Sequence, residues 1–483
     1  MTTTAIVWLR RDLRIDDNPA LNRALAESER VIPLYIHAPE EEAPWQPGAA
    51  SCWWLHHSLR ALEISLRRRG SGLVIRRGGS GTVLREVARE SGAGLVCWNR
   101  LYDLWAGPRD EGIGKTLAGA GIHVKVHHGS LLREPWDNVK DDGSMYRVFT
   151  PFWRRYLLTG PEEVPEPGPA ELPPLPRGLG SLSVEDLDLV SRIPWHRAFG
   201  DCWQPGEAGA MARLEDFLGR SAVFEYGRER DLPGQDGVSG LSAHLHFGEL
   251  SARQVWHAVL QAAGGSGGAG EHGVPERVRP FLRQLTWRDF AHHILHHEPR
   301  TAEDPFDRRY RSFPWDENPE LVLAWQKGRT GIPLVDAGMR QLWHTGWMHN
   351  RVRMLAASVL TKNGLVHWLN GARWFWDTLV DADLANNTMG WQWTAGCGVD
   401  AAPYFRVFNP ARQGERFDPR GDYVRTWVPE LAAMPSRHIH EPWRAPEAVL
   451  RQAGVVLDED YPRPVLNLAD GRAEALRRFR ALG

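Results

Sequence analysis

The stretch TAIVWLRRDLRIDDNPAL, residues 4–21, decides the fold of the N-terminal part of the chain. Its first segment, TAIVWL, is an apolar run of strand length that is rich in β-branched side chains. The polar segment RRDLRIDDNPAL follows directly, where a dinucleotide-binding strand would be followed by G-x-G-x-x-G. We therefore expect a buried strand without the standard dinucleotide fingerprint.

Further apolar runs of strand length follow before residue 130: RVIPLYIH (30–37), GLVIRRG (72–78), GAGLVCW (92–98) and IHVKVHH (122–128). Helical stretches separate them, such as ASCWWLHHSLRALEISLRRRG (50–70) and GTVLREVARES (81–91). Strands that alternate with helices form βαβ crossovers, which give a parallel sheet with helices on both faces. Residues 1–130 are therefore predicted to form an α/β domain with a five-stranded, Rossmann-like sheet, whose ligands bind at the carboxyl ends of the strands.

The next segment is marked by proline. TGPEEVPEPGPAELPPLPRG, residues 159–178, has too many prolines for regular helix or sheet and is typical of an extended linker. We expect an interdomain connector over residues 131–204.

Helical spacing dominates from about residue 205. Apolar residues recur at i, i+3 and i+4 in MARLEDFLGR (211–220), PERVRPFLRQLTWRDFAHHILHH (275–297), IPLVDAGMRQLWHTGW (332–347) and RVRMLAASVLTKNGL (351–365). Residues 205–483 are therefore predicted to form an all-α domain.

Composition and charge exclude several classes of protein. The net charge of −2 argues against a uniformly basic nucleic-acid binder but leaves room for a local basic groove. The four cysteines lie far apart, which argues against a zinc site or a disulfide framework. The histidines from His292 to His297 lack a nearby third ligand in the sequence, so we expect a helix end and no metal. Neither a signal peptide nor an apolar run of about 18 residues is present, and we expect a cytoplasmic protein without a membrane span.

The segment WMHNRVRM, residues 347–354, points to function. From Arg340 to Arg353 the chain carries three arginines, two histidines and no carboxylate. This composition is typical of a surface that binds a flat, anionic ligand. Farther on, DADLANNTMGWQW (381–393) combines two acids, two amides and two tryptophans. Capping and turn chemistry would explain any one of these residues, but it does not readily explain all of them together.

Longer motifs run nearly end to end in the chain. They are VWLRRDLRIDDNPAL (7–21), YRVFTPFWRRY (146–156), GLSAHLHFGELS (240–251), FLRQLTWRDF (281–290), DAGMRQLWHTGWMHNRVRM (336–354) and DAAPYFRVFNP (400–410). With these motifs in this order, the chain resembles the DNA photolyase/cryptochrome family and is most similar to bacterial cyclobutane pyrimidine dimer photolyases. The fold of that family, an α/β domain followed by a helical domain, agrees with the reading from the residues.

The resemblance implies FAD, bound in the helical domain. By position, the cofactor-binding residues are Tyr226, Val238, Ser239, Gly240, Leu241, Ser242, Arg288, Arg353, Asp381, Asp383 and Asn387. Tyr226 and the loop 238–242 correspond to the part that holds the phosphates, where hydroxyl and backbone N–H groups suit the task. Arg353 and Asp381 would form an ion pair beside the flavin. Asn387 matches the position that faces flavin N5, where a neutral amide favours the reduced flavin.

The resemblance also implies UV-damaged DNA as partner and a deoxyribodipyrimidine photo-lyase activity. An everted pyrimidine dimer would be held by aromatic faces and repaired by an electron from light-excited, reduced FAD. The expected catalytic residues are Asn350, Gln284 and Asn387. The expected DNA- and lesion-binding residues are Arg230, Trp287, Asn350, Arg351, Met354, Trp393, Arg406 and Gln413. Their phosphate contacts would make binding salt-dependent.

Three tryptophans, Trp391, Trp368 and Trp315, match the family's electron relay from flavin to surface. Because electron tunnelling decays steeply with distance, such a relay needs easily oxidised rings spaced as stepping stones. The alternative for each residue alone is ordinary packing, and packing must account for most of the 23 tryptophans. The expected role of the relay is reduction of oxidised FAD, not repair.

Some positions depart from the family pattern. Gln284 stands where dimer photolyases usually carry Glu, while Gly240 and Val238 replace an Arg and a hydroxyl residue in the phosphate loop. Three alternatives stay open: a (6-4) photolyase, a cryptochrome-type photoreceptor, and a light-independent electron-transfer flavoprotein. The folate-contacting Asn-Glu pair is also absent, since Trp105 and Ala106 stand there. A second antenna chromophore is therefore open between methenyltetrahydrofolate, 8-hydroxy-5-deazaflavin and none. A monomer is expected.

Overall fold

The N-terminal part of the computed structural model is built on one sheet of five parallel strands. The structure describes residues 3–161, 163–265, 273–400 and 405–482. The strands are β1 (Thr4–Leu9), β2 (Arg30–His37), β3 (Val74–Arg77), β4 (Leu95–Asn99) and β5 (His123–His127), in the order β3-β2-β1-β4-β5. The predicted α/β class with a five-stranded parallel sheet is confirmed.

The helices that cross between these strands cover both faces of the sheet. They are α1 (Pro19–Glu27), α2 (Ala49–Arg68), α3 (Ser80–Ser91) and α4 (Ala106–Gly119). All residues of β1 are buried, as expected for a central strand of a parallel sheet. The loop after β1 is tied down by Asn18, whose side chain accepts from the Leu21 N–H at 3.2 Å and caps α1. The Asn18 cap therefore fixes the start of α1 shortly after the carboxyl end of β1.

The segment after β5 packs on both halves of the molecule. It contains two helices, α5 (Phe149–Thr159) and α6 (Phe199–Cys202). Residues of α5, including Phe149 and Tyr156, are buried in a cluster with side chains of the helical half. Farther along, Leu172 and Leu187 are buried against the sheet side of the molecule. The proline-rich stretch is thus extended chain that runs over the α/β surface.

The remaining described chain is helical, as predicted. The helices are α7 (Glu207–Gly219), α8 (Ala222–Glu229), α9 (Ser242–His246), α10 (Ala252–Ala262), α11 (Arg279–His297), α12 (Pro319–Gln326), α13 (Pro333–Thr345), α14 (Asn350–Ser358), α15 (Trp368–Thr378), α16 (Leu384–Ala395), α17 (Pro410–Phe417), α18 (Asp422–Trp427), α19 (Ser436–Ile439), α20 (Glu447–Ala453) and α21 (Leu468–Arg480). A π-helical turn, Val359–Asn363, follows α14 directly. Among the helices of the described ranges, none is long and apolar enough to cross a bilayer.

A buried polar junction joins the two halves. Glu249 is fully buried, and its carboxylate accepts hydrogen bonds from Trp54 Nε1 at 3.0 Å and from the Gly206 N–H at 2.6 Å. The second carboxylate oxygen of Glu249 lies 2.5 Å from His244 Nδ1. Burying a carboxylate is costly unless hydrogen bonds or an ion pair compensate for the lost water, and Glu249 is hydrogen-bonded through both oxygens. The junction therefore fixes α2 of the sheet domain against α9 and the start of α7.

Candidate active site

The segment WMHNRVRM, residues 347–354, leads into α14 and forms its first turn. His349 caps the helix, because its Nδ1 accepts the Arg351 N–H at 3.2 Å. Burial lowers the pKa of His349 to about 4, so the ring is neutral near pH 7 and keeps the lone pair that the cap requires. Residues at i and i+3 share one helix face, which places the exposed Asn350 beside Arg353. Asn350 Nδ2 also lies 3.9 Å from Met354 Sδ, one turn along.

Arg353 and Asp381 form the predicted ion pair. Arg353 Nη2 lies 2.8 Å from Asp381 Oδ2, and its Nε donates to the Met348 carbonyl at 2.7 Å. The Asp381 side chain is only 4% exposed, and its Oδ1 has no hydrogen-bond partner in the described part of the chain. A buried carboxylate oxygen without a donor is costly unless a ligand supplies one. The pair therefore presents an acceptor that suits an N–H or O–H group of a cofactor.

Asp383 begins α16 and lies among histidines. It accepts from the Asn386 N–H at 2.9 Å as the helix cap. Its other oxygen lies 3.5 Å from His292 Nε2 and 3.7 Å from His246 Nδ1. Burial alone would raise the pKa of Asp383, but His292, His246 and Arg288 outweigh burial and hold that pKa well below its usual value.

His292 and His246 were missed as site residues by sequence reasoning. The histidine run was expected at a helix end, and it does form the last turns of α11, where His292 and His293 are buried and hydrogen-bonded to backbone carbonyls. His292 Nδ1 lies 3.0 Å from the Arg288 carbonyl, which orients its other nitrogen toward Asp383. The i, i+4 spacing of Arg288 and His292 is visible in the sequence. Their common partner Asp383, however, lies too far along the chain to be inferred from spacing.

Arg288 and Asn387 have part of their hydrogen-bonding capacity fixed by the protein. Arg288 donates to the Ser130 carbonyl at 2.8 Å and to the Leu245 carbonyl at 3.2 Å. Asn387 Nδ2 donates to the Ala372 carbonyl at 2.9 Å. Because the amide nitrogen of Asn387 is engaged, its oxygen is the atom left to accept from a ligand.

The loop 238–242 connects α8 to the start of α9. Arg213, which was not among the predicted site residues, contacts this loop. Gly240 is buried with φ +66°, and Arg213 of α7 lies directly over it. Arg213 Nε donates to the Ser239 carbonyl at 3.0 Å. Tyr226, in the preceding helix, packs edge-on against Phe281 with ring centroids 5.2 Å apart. The loop therefore has an adjacent cation even though residue 240 is not an arginine.

Two partly exposed tryptophans, Trp287 and Trp393, are each held in place by a neighbouring group. The Trp287 ring stacks on Phe149, with centroids 3.7 Å apart and planes at 11°. Trp393 Nε1 donates to the Asp400 carbonyl at 3.1 Å. Phe149 was missed by sequence reasoning because α5 precedes α11 by more than one hundred residues. One face of Trp287 is thus covered, and stacking of a base is left to the other face.

Other residues expected at the DNA side have varied surroundings. Gln284 Nε2 donates to the Pro280 carbonyl at 3.2 Å, which leaves its Oε1 as an acceptor. Arg351 pairs with Asp231 at 2.8 Å, and its guanidinium lies 4.4 Å above the Phe417 ring. Arg406 is exposed, while Arg230 and Gln413 are partly buried.

The three tryptophans that are predicted to form an electron relay differ in burial. Trp391 and Trp368 are 3% and 1% exposed, whereas Trp315 is partly exposed. His367 lies between the outer two, with its ring centroid 5.7 Å from Trp368 and 5.3 Å from Trp315. Trp391 lies on the backbone of Gly371, which is one turn beyond Trp368 in α15, and any side chain at 371 would overlap its ring. Gly371 therefore allows Trp391 to approach the helix that carries Trp368.

Comparison with known proteins agrees with this geometry. A family model described as DNA photolyase matches residues 5–170, and one described as FAD binding domain of DNA photolyase matches residues 281–481. The chain belongs to the DNA photolyase family. It is 41% identical to a deoxyribodipyrimidine photo-lyase of Agrobacterium fabrum, over 100% of this chain and 98% of that protein. It is 38% identical to cryptochrome-2 of Arabidopsis thaliana, over 99% of this chain and 80% of that protein.

A solved structure is similarly close. The bacterial class III photolyase from Agrobacterium tumefaciens superposes with a TM-score of 0.94 at 41% identity, over 100% of this chain and 98% of that one. The predicted family, its two-part fold and its FAD-binding domain are therefore confirmed. The roles of individual residues stay predictions.

This photolyase-family chain also has a cavity of about 200 Å³ at the carboxyl edge of its sheet. Side chains from the ends of β1 and β2 line the cavity, among them Trp8, Arg11 and Tyr35. The Trp8 ring lies 4.2 Å from the Arg10 guanidinium and 5.1 Å from that of Arg109. The cavity reaches His246 and Ala382 on the helical side, and Ala382 is the neighbour in sequence of both Asp381 and Asp383.

Proposed function

We propose that this chain repairs cyclobutane pyrimidine dimers in UV-damaged DNA by a light-dependent reaction that uses reduced FAD. The observation that carries the proposal is the first turn of α14. It puts Arg353, ion-paired to the buried Asp381, on the same helix face as the exposed Asn350. One helical turn thus joins a buried acidic site that suits a cofactor to a surface that DNA can reach. We further propose that the protein acts as a monomer in the cytoplasm.

The residues of the flavin site fit the cofactor. Asp381 Oδ1 lacks a donor among the described residues, and Asn387 keeps its amide oxygen available. Reduced FAD, when bound, supplies the electron that splits the dimer under illumination. Arg353, Asp383 and Arg288 would hold and orient the cofactor, and the pKa of Asp383 is held well below its usual value, so this carboxylate is ionised near pH 7. No acid–base triad is needed, because the protein's part is positioning and exclusion of water.

The surface beside Asn350 suits an everted nucleotide pair. Stacking of a base on an aromatic ring contributes about 1–3 kcal/mol. Trp287 is backed by the Phe149 ring, and Trp393 is held by the hydrogen bond from its Nε1 to the Asp400 carbonyl. Gln284 offers an acceptor to a pyrimidine N–H, since its own amide nitrogen is engaged by the Pro280 carbonyl. Met354 and Asn350 would meet the damaged bases, while Arg230, Arg351, Arg406 and Gln413 would lie along the DNA.

A second, flat chromophore is proposed for the cavity at the sheet edge. Ligands of parallel sheets bind at the carboxyl ends of strands, and the aromatic rings of Trp8 and Tyr35 suit a planar molecule. The cavity reaches Ala382, so such a molecule would lie close to the flavin. Its identity is tested by the absorption and mass of whatever small molecule the purified protein releases on denaturation.

The test of the main proposal is repair in a purified system. Reduced protein is mixed with an oligonucleotide that contains one cyclobutane dimer and is then illuminated with blue light. We expect intact pyrimidines in the light only, strong loss in Asn350→Ala, and no loss in the control Asn370→Ala, which changes an exposed asparagine of α15. Absence of repair by the unaltered protein would contradict the proposal, and repair of (6-4) lesions alone would replace it with the (6-4) alternative.

A photoreceptor is the second candidate, favoured by the 38% identity to cryptochrome-2. A photoreceptor would show light-driven reduction of its flavin without repair of any lesion. A photoreceptor would also lack tight binding to irradiated DNA, and this would distinguish it from a slow repair enzyme.

A further inference from the structure

Arg213 and Gly240 occupy one small space. The Gly240 backbone has φ +66°, in the left-handed region that favours glycine. A Cβ atom added there would lie 2.7 Å from Arg213 Nη2 and 2.8 Å from Arg213 Nε. Contacts that short do not occur, so a side chain at residue 240 and the guanidinium in its present place exclude each other.

The guanidinium is oriented but has capacity left. Arg213 Nε donates to the Ser239 carbonyl at 3.0 Å. Within the described ranges, Arg213 has no carboxylate at ion-pair distance, and its Nη atoms have no hydrogen-bond partner. The contrast is Arg220 at the end of the same helix, which pairs with Asp216 and Asp236 at 2.9 Å each. Arg213 is thus a positive group fixed against the loop with its two outer nitrogens unused.

Such a group has the chemistry to bind a phosphate. Guanidinium Nη atoms donate strongly to phosphate oxygens, and one prior hydrogen bond reduces the side-chain freedom that binding would remove. The neighbouring residues Ser239 and Ser242 add hydroxyl groups, and the segment from Gly237 to Ala243 contains no cation of its own. The loop would therefore lack a positive charge without Arg213.

We propose that Arg213 binds the diphosphate of FAD, presented by α7 across Gly240 and in place of a cation at residue 240. The inference rests on the proposed FAD-dependent function and names one further residue of the same site. Gly240 is then part of the same phosphate-binding arrangement, because only a residue without Cβ leaves room for the arginine to cross the loop.

The experiment follows the release of FAD from the full-length holoprotein. After dilution, the rise of free-flavin fluorescence gives the dissociation rate at several salt concentrations. We expect Arg213→Ala to accelerate release about 10- to 100-fold, as for loss of one hydrogen bond to a charged group. The difference should shrink at high salt. The exposed Arg472→Ala of α21 is the charge-matched control and should leave the rate unchanged.

A double variant separates phosphate binding from simple support of the loop. Gly240→Arg alone should accelerate release, because it displaces Arg213 and strains the backbone. In Arg213→Ala/Gly240→Arg the space is free and a cation returns, whereas Arg213→Ala/Gly240→Ala carries the same strain of a side chain at φ +66° without the cation. FAD should therefore leave more slowly from Arg213→Ala/Gly240→Arg than from Arg213→Ala/Gly240→Ala.

Two results would overturn the inference while the proposed function stands. One is Arg213→Ala that retains FAD like the unaltered protein, and the other is Arg213→Ala/Gly240→Arg that releases FAD as fast as Arg213→Ala/Gly240→Ala. A chain that never binds FAD would instead defeat the proposed function itself.

Discussion

Two sets of tryptophans in the helical half differ in what covers them. Trp391 and Trp368 are enclosed in the core, and Trp391 meets Phe375 and Trp325 edge-on with centroids 5.0 and 6.0 Å apart. Trp287 and Trp393 are partly exposed, and Trp287 is covered on only one face. The difference in cover matches the two predicted roles. Enclosure would protect a ring that is to be oxidised, while a ring backed on one face would keep the other face for stacking.

The strongest test of this comparison is Trp391→Phe. Phe is much harder to oxidise than Trp and preserves most of the packing, so photoreduction of oxidised FAD should nearly cease. Repair by protein that has been reduced chemically beforehand should stay close to normal. Absorption spectra during illumination measure the first effect and dimer repair the second. If repair by prereduced protein fell as much as photoreduction, the two sets would not be separate in function.

Trp287→Ala is the next test and acts on the exposed set. Loss of one stacked base should weaken binding of dimer-containing DNA by about 1–3 kcal/mol, or roughly 5- to 150-fold. Affinity for undamaged duplex should change little, because no base is everted there. Fluorescence anisotropy with matched damaged and undamaged oligonucleotides gives both values. Equal loss for both DNAs would place Trp287 in general DNA contact, contrary to the comparison.

A smaller effect is expected from Gly371→Ala, which changes the residue against which the enclosed Trp391 packs. The new methyl group would overlap the Trp391 ring. Overpacking of a core costs about 1–3 kcal/mol, and the better helix propensity of Ala offsets up to about 1 kcal/mol of it. We expect a stability loss of about 1–2 kcal/mol in denaturant unfolding, together with slower photoreduction. Ala372 is buried beside it, so Ala372→Gly serves as a control that destabilises α15 without pushing on Trp391.

The sequence predicts the sheet well because its signals are local. Each strand is an apolar run bounded by glycine or polar residues, and the observed strands lie within the predicted segments to one residue, as at β4, which ends at Asn99. The helical class follows in the same way from apolar spacing. The domain boundaries stay predictions, because α5 packs with the helical half while the chain after it covers the sheet.

The site is less accessible to sequence reasoning, since its contacts join distant residues. The Arg353–Asp381 pair was expected from the resemblance, and the structure brings the two together at 2.8 Å. Phe149 behind Trp287 and His246 beside Asp383 were not expected, because the chain segments that carry them are far apart in sequence. Arg213 was not predicted for a further reason: the sequence feature that points to it is the absence of a side chain at Gly240.

Phe149→Leu gives the smallest expected effect and the sharpest form of the comparison. Leucine fills much of the buried volume but removes the ring that stacks on Trp287, and such aromatic pairs contribute about 0.5–1.5 kcal/mol beyond burial. Trp287 would keep its place and lose its fixed tilt, so affinity for dimer-containing DNA should fall by roughly 2- to 13-fold. Flavin photoreduction should be unchanged, because the enclosed tryptophans do not contact Phe149. The matched control is Phe152→Leu, which changes a buried ring one turn along α5 that packs on Phe290. If both variants weakened lesion binding equally, general loosening of α5 would explain the result, and the backing ring would have no specific role in recognition.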